Sequence, residues 1–289
     1  MTSLMIGLVL GGTYALAALG LTMQYGVARI MNLAYGEFVI SAAFATFVLF
    51  SSINLNPLLA MFIVAPAAFS ISYFVYAILM APLVKRSKKK GNLENDSILI
   101  TFGLLFLVQG ILLVLFGADF ASYNYLNIPV NVFGITIAAN RLIAFGLAMI
   151  LGLSLYCLVA YSQWGITLRA VATKPENARL VGINVDRVAQ IAFAIGGMLA
   201  ALAGVVISMF QTFTATSGVV FTMKALIVVI MGGVGNFMGA LISGLILGLA
   251  EATVSTYVDP GLTLASTYLI FLVLLLWRPQ GLFGKGVVK

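Results

Sequence analysis

Residues 188–210 read VAQIAFAIGGMLAALAGVVISMF, an apolar run without a single Asp, Glu, Lys or Arg. A helix crossing the hydrocarbon of a bilayer needs about 20 mostly apolar residues. This run meets that length, and elsewhere the chain's 29 glycines cluster within spans, GLVLGG, MGGVG and GALISGLILG placing at three- or four-residue spacing the small residues that let helices approach closely in lipid. The stretch before it is its opposite. GITLRAVATKPENARLVGINVDR, Gly165 to Arg187, holds six of the chain's 23 charged residues. A span preceded by a compact charged segment is the pattern of a membrane protein with one polar element outside the bilayer.

Composition agrees. The 289-residue chain is 62% hydrophobic and 8% charged, against roughly a quarter charged in soluble domains. Long continuous apolar runs point to helices; a barrel would alternate in segments of about ten residues. We therefore expect an all-α fold, a polytopic transmembrane helix bundle with eight to nine membrane segments and a short cytoplasmic helix, residues 1–289 forming a single transmembrane domain. The net charge of +7 reports orientation rather than nucleic acid. There is no histidine and one cysteine, Cys157, so the chain offers no His-based metal site, no Cys–His pair and no intrachain disulfide. Cys157, inside LGLSLYCLVAY, reads as a small buried hydrophobe. No phosphate-binding loop occurs, so any ATP and magnesium would be bound by another chain. The N-terminus lacks a basic stretch and does not read as a cleaved signal peptide.

The expected spans are Leu4–Met23, Leu33–Ser51, Pro57–Val84, Ser97–Gly117, Arg141–Tyr161, Val188–Phe210, Val219–Gly235, Phe237–Tyr257 and Leu264–Trp277. KRSKKKGNLEND, 85–96, reads as a solvated loop. Val219–Gly235 is short and open to a re-entrant or broken form. Thirteen cations (Arg29, Lys85, Arg86, Lys88, Lys89, Lys90, Arg169, Lys174, Arg179, Arg187, Arg278, Lys285, Lys289) then share one side, leaving Arg141 and Lys224 on the other. The positive-inside rule makes the first side cytoplasmic. The N-terminus is then outside, the C-terminus is inside, and nine crossings satisfy the parity.

Within the charged segment, Thr173-Lys174-Pro175-Glu176 reads as a helix start, with proline at the first position and an acid near the positive dipole end. Gly182 can stop it, leaving about two turns. Ala178, Val181 and Val185 fall toward one face. Three further features invite a pathway role. Gly232-Gly233-Val234-Gly235-Asn236 is a candidate helix break, since irregular backbone at membrane depth must be buried in protein or line a cavity. Glu37 and Glu251 are acids in apolar context, both near expected span ends, where a structural hydrogen bond competes with substrate contact.

Four stretches carry a family resemblance: GGTYALAALGLTMQYGVARIMNLAYGEF (11–38), ITLRAVATKPENARLVGINVDRV (166–188), VVIMGGVGNFMGALISGLILGLAEA (228–252) and WRPQGLFG (277–284). In order and over essentially the whole chain, they resemble the permease subunits of branched-chain amino acid ABC importers, most of all the shorter, H-type (LivH-like) subunit of the heterodimeric pair. The resemblance implies an inner-membrane protein, bacterial or archaeal, with a second paralogous permease subunit, two cytoplasmic ATPase subunits and an external substrate-binding protein as partners. It implies that 165–187 is a coupling loop with Arg169, Lys174, Pro175, Glu176, Asn177, Ala178, Arg179 and Gly182 facing an ATPase. The general coupling pattern, E-A-A-x-x-x-G, is met by Glu176, Ala178 and Gly182, with Asn177 at its second place; the later I-x-L-P is replaced by AFAI, 192–195. Asn32, Tyr35, Glu37, Gly232, Gly233, Gly235, Asn236 and Glu251 are the pathway candidates, with Tyr35 standing where a histidine is expected. Urea, short amides or another small solute are rival cargoes, and a self-contained secondary transporter is the rival class. No nucleophile–base pair supports an enzyme.

Overall fold

The computed structural model describes residues 2–86, 90–132 and 135–284. Helix α1 spans Thr2–Ala28, α2 Tyr35–Ile53 and α3 Pro57–Val75; a π-helical turn, Tyr76–Met80, joins α3 to α4, Ala81–Arg86, as one rod. Helix α5 runs Lys90–Phe116, so Glu94 and Asp96, expected in a solvated loop, stand in its first turns. Strands β1 (Pro129–Val132) and β2 (Ile135–Ala138) pair antiparallel with Val130 opposite Ile137. That hairpin is an addition to the all-helical expectation; it sits in the polar connection 118–140, outside the spans. Then follow α6 Ala139–Tyr161, α7 Gln163–Thr173, α8 Pro175–Leu180, α9 Val185–Ser208, α10 Gly218–Gly232, α11 Phe237–Tyr257 and α12 Thr263–Trp277.

Eight of these helical rods are long and apolar enough to cross a membrane, and the 15-residue α10 is shorter. Apolar composition makes all of them helical candidates; packing decides which lie inside. Helix α9 is central, 83% of its apolar window being buried, whereas α12 is peripheral at 6%. The difference follows from side-chain size. Helix α9 presents Ala192, Gly196, Gly197, Ala200, Ala203 and Gly204 to its neighbours, and a Cβ added to Gly196 would meet the Gly20 carbonyl oxygen at 2.6 Å. Helices α1 and α11 cross in the same way, with Gly11 facing the Leu245 Cα and Gly244 facing Ala15. Helix α12 is Leu-rich, and its exposed Leu269, Leu272, Val273 and Leu276 are what lipid accepts. Cys157 is exposed on α6 rather than buried, because α6 packs through Ala144, Ala148, Gly152 and Leu155 instead.

Contacts define the two ends of the bundle. At one end, Gly26 meets Gly235, Arg29 Nη2 donates to the Ala172 oxygen at 3.4 Å, Leu282 N donates to the Met231 oxygen at 2.7 Å and Asn236 Nδ2 donates to the Phe283 oxygen at 3.0 Å. At the other, Ala121 pairs with Phe213, Tyr123 Oη lies 2.8 Å from Ser208 Oγ and Asn140 Nδ2 donates to the Met209 oxygen at 3.0 Å. The first is the basic end. Among the described residues Arg29, Lys85, Arg86, Arg169, Lys174, Arg179, Arg187 and Arg278 belong to it. Arg141 belongs to the opposite end. Lys88, Lys89, Lys285 and Lys289 lie outside the described residues, as does the side chain of Lys90. Lys224, counted from sequence with Arg141 on the side opposite the basic cluster, is buried in the interior on α10.

Candidate functional site

The charged segment folds into two short helices. Ser162 ends α6 and caps α7, its Oγ accepting from Gly165 N at 2.9 Å. The corner is tight, for the Gly165 Cα faces the Val159 carbonyl directly. Helix α7, unforeseen from sequence, anchors through buried Leu168 and Val171 and leaves Arg169 exposed. Helix α8 starts where expected, with Pro175 at its first position. Gly182, at φ +82, ends it, and Ile183 N donates to the Ala178 oxygen at 3.1 Å. That 6→1 bond is the Schellman closure a left-handed residue permits. Ala178 is the buried anchor; Lys174, Glu176, Asn177 and Arg179 are exposed, and Pro175 is half-buried. Arg179 Nη2 is 3.4 Å from Asp186 Oδ1. Val181 departs from expectation: it stands past the helix end and is 74% exposed, beside Leu180 at 86%. Leu180 and Val181 thus form an exposed apolar tip beside the charged Lys174, Glu176 and Arg179.

Behind this surface a cavity of 650 Å³ joins elements distant in sequence: Gly26 of α1, Tyr156 of α6, Arg169 and Thr173 of α7, Gly235 and Asn236 of the α10–α11 turn, and Phe283. The glycine break is therefore at the basic end, not at mid-depth. Gly233 takes φ +94 and Gly235 φ +80, and Asn236 caps α11 by accepting from Gly239 N at 3.0 Å. Gly232 packs on Gly239.

An interruption inside the bundle lies elsewhere, where two non-helical stretches meet. After α1 the chain returns through 29–34, with Arg29 at φ +55, so that α2 begins beside the middle of α1; Tyr35 Oη donates to the Ala17 oxygen at 2.7 Å. Polar side chains satisfy this non-helical stretch. Met31 N donates to Ser97 Oγ at 3.2 Å and Leu33 N to Thr101 Oγ1 at 3.1 Å. Asn32 Nδ2 donates to Gln24 Oε1 at 2.9 Å, and Gln24 Nε2 donates to the Phe193 oxygen at 3.1 Å. Gly36 N donates to Thr222 Oγ1 at 2.8 Å. Irregular backbone inside a membrane protein persists only with such partners. Across from it, residues 209–217 fold back into the bundle, Phe213 against Phe44, and α10 begins only at Gly218. Glu37 and Gly218 touch there. Glu37 is wholly buried, and neither carboxylate oxygen has a hydrogen-bond partner among the described residues.

Glu251 is differently placed. Its Oε1 is 2.6 Å from Lys224 Nζ, which also donates to Tyr14 Oη at 2.7 Å. The acid is engaged by a buried cation linking α10, α11 and α1. Of the sequence candidates, Asn32, Tyr35 and Glu37 converge; Gly232, Gly233, Gly235 and Asn236 form the basic-end turn; Glu251 stands apart. Sequence reasoning missed Gln24, Thr101, Thr222, Tyr14 and Lys224. Only Lys224 had a signal, a lone cation within GVVFTMKALIVVIMG.

At the opposite end, a cleft of 240 Å³ is lined by Tyr123, Asn124, Asn140, Arg141, Ser208 and Gln211 among others. Burial pushes the Tyr123 hydroxyl up to about 12, against a smaller lowering by its bond to Ser208, so it keeps its proton at any physiological pH.

This arrangement, a glycine-packed bundle with an exposed two-helix corner, coincides with a full-length likeness to known transporters. The family described as branched-chain amino acid transport system, permease component, matches residues 3–277. The chain belongs to this family. It is 30% identical, over 98% of its own length and 95% of the relative's, to the high-affinity branched-chain amino acid transport system permease protein LivH of Escherichia coli (strain K12). To LivH of Salmonella typhimurium it is 29% identical over the same shares. To the high-affinity branched-chain amino acid transport system permease protein BraD of Pseudomonas aeruginosa it is 27% identical, over 98% of this chain and 95% of the relative. No solved structure matches. Family members are transport permeases and not enzymes, and the chain is a polytopic permease of this kind.

Proposed function

We propose that this chain is the membrane-spanning subunit of an ATP-driven importer that moves branched-chain or related amino acids across a bacterial or archaeal inner membrane by alternating access. The basic end faces the cytoplasm and the N-terminus faces outside. A second, paralogous permease completes the path, an external binding protein delivers the amino acid to the Tyr123–Arg141 end, and two ATPase subunits, which hold ATP and magnesium, dock on α7 and α8. The observation that carries this reading is the exposed Leu180–Val181 tip beside Glu176 and Arg179, standing on a helix corner that shares a cavity with the ends of α1, α6 and the α10–α11 turn. A displacement of α8 reaches those ends through α7, and rigid helices transmit it into the bundle. Ligands move such an equilibrium only by their differential affinity for the two states, so a dense set of strong polar contacts along the path is not required.

The test is to express the chain with its second permease, ATPase and binding-protein partners, reconstitute it in liposomes, and measure ATP hydrolysis and uptake. L-leucine, L-isoleucine or L-valine with binding protein should stimulate hydrolysis and accumulate inside. Stimulation by urea or short amides alone would replace the cargo. Uptake without any co-purifying ATPase would replace the class with a self-contained transporter.

A further inference from the structure

We propose that Glu37 and the N-terminus of α10 form the membrane-depth site for the amino acid's zwitterion, the carboxylate of Glu37 taking the substrate ammonium and the first backbone N–H groups of α10 taking the substrate carboxylate. The proposal rests on the importer reading above and deepens it. Its ground is a pair of unmet needs in contact. Glu37 is wholly buried with both oxygens lacking a hydrogen-bond partner among the described residues. The first N–H groups of any α-helix have no partner within it, and Ser217, the residue preceding α10, makes no capping hydrogen bond to them; its hydroxyl is occupied by Thr214 instead, accepting from Thr214 N at 3.0 Å. The Glu37 carboxyl points at this helix end: its Oε2 lies 2.6 Å from where a Cβ on Gly218 would stand.

A buried carboxylate without hydrogen bonds is expensive, and so is a zwitterion carried into a bilayer. Each relieves the other. A helix N-terminus favours an anion through its dipole and its free donors, and interrupted helices at mid-depth serve polar cargo in membrane transporters. In this structure the two groups rest against each other and leave no space, which is the closed form. Withdrawal of α10 by the width of a main chain converts one contact without hydrogen bonds into two with them. Gly218 permits this, since any side chain there would occupy the place of the carboxyl group. Ser41 is half-buried one turn beyond Glu37, and Ala45, Val48 and Ser52 on the same face of α2 are exposed, a face that the second permease subunit would cover to form a path. Val219 is half-buried and Val220 exposed on α10, so the apolar side chain of the substrate meets an open apolar surface rather than a shaped pocket. The membrane site then reads the zwitterion, and discrimination among side chains falls to the binding protein.

The test uses the assembled complex in nanodiscs without binding protein, carrying Cys157→Ser and Ser41→Cys, both nucleotide-free and vanadate-trapped. The rate of labelling of position 41 by a small thiol reagent is measured against added L-leucine, 4-methylpentanoate (no ammonium) and 3-methylbutylamine (no carboxylate). Leucine should slow labelling in at least one state, the two analogues should need more than ten times the concentration, and Glu37→Gln should raise the leucine requirement at least tenfold. Val219→Cys repeats the measurement should the first variant not assemble. Equal protection by the analogues, unchanged protection in Glu37→Gln, or no protection in either state would overturn the site. If the wild-type complex still couples leucine uptake to ATP, such a result removes this site alone and leaves the importer reading standing.

Discussion

Lys224 sits on an apolar helix with its ammonium 2.6 Å from Glu251 and 2.7 Å from the Tyr14 hydroxyl. Its neighbours Met223 and Ala225 give no hint of this, and the partner lies 27 residues on. Two charges in such a place are retained only together. Removing one leaves the other buried and unpaired, which costs about 3–5 kcal/mol, whereas replacing both with apolar residues of similar size is often near neutral. Lys224→Met and Glu251→Leu should each lower the thermal midpoint of the purified complex strongly, and the double variant should recover most of the loss. Additive losses in a double-mutant cycle would show that the pair is not the unit that matters.

Among elements, glycines divide into those that touch and those that do not. Gly248 faces the backbone of Gly11 where α11 crosses α1, while Gly110 on α5 has open space around it. Overpacking a close contact costs roughly 1–3 kcal/mol, most of all when the obstacle is backbone. Gly248→Ala should therefore reduce the yield and thermal stability of the complex, and Gly110→Ala should alter stability by no more than ~0.5 kcal/mol. Gly233→Leu combines both penalties, for φ is +94 and the Gly284 nitrogen stands 2.8 Å from the added Cβ. Its complex should assemble with a displaced C-terminal segment and transport poorly, measured as yield and uptake together. The corner α7–α8 is the contrasting case of a surface that can change without loss of fold. Replacing Glu176 and Arg179 with Ala changes two exposed side chains, and the ion pair that Arg179 makes with Asp186 is itself exposed, worth at most about 1 kcal/mol. ATP hydrolysis should then proceed while uptake falls several-fold; normal uptake would exclude this corner as the coupling surface.

For the molecule as a whole, the contacts at the two ends separate Arg179 from Asn124, and the cations gathered at the first end make it the cytoplasmic one. Single cysteines at Arg179 and Asn124, in a Cys157→Ser background, should label from opposite sides of the membrane, with position 124 reached by an impermeant reagent outside intact cells. Labelling of position 179 from outside would invert the topology. Positions 88 and 285, which the charge pattern also assigns to the cytoplasm, lie outside the described residues.

Membrane class, the spans, the Pro175–Leu180 helix with its stop at Gly182 and the family were legible in the chain because each rests on local facts: the length of an apolar run, a proline at a helix start, a glycine after its end, a cluster of cations. Hydrocarbon enforces helices wherever such runs occur, so little else was needed. Depth and partnership were not legible. The polar residues Gln24, Asn32, Thr101 and Thr222 meet only because 29–34 climbs back beside α1 and 209–217 folds down toward Glu37. The glycine-rich 232–236 looked like the break at mid-depth, yet it became the turn at the basic end, since α10 starts late and has only 15 residues to reach it. Glu37 reads as a span-end acid in the chain and becomes a wholly buried, unpartnered one in the fold. The reason is physical: a hydrogen-bond partner or an opposing backbone is set by how helices pack, and packing among many similar apolar helices is decided by contacts far apart in sequence.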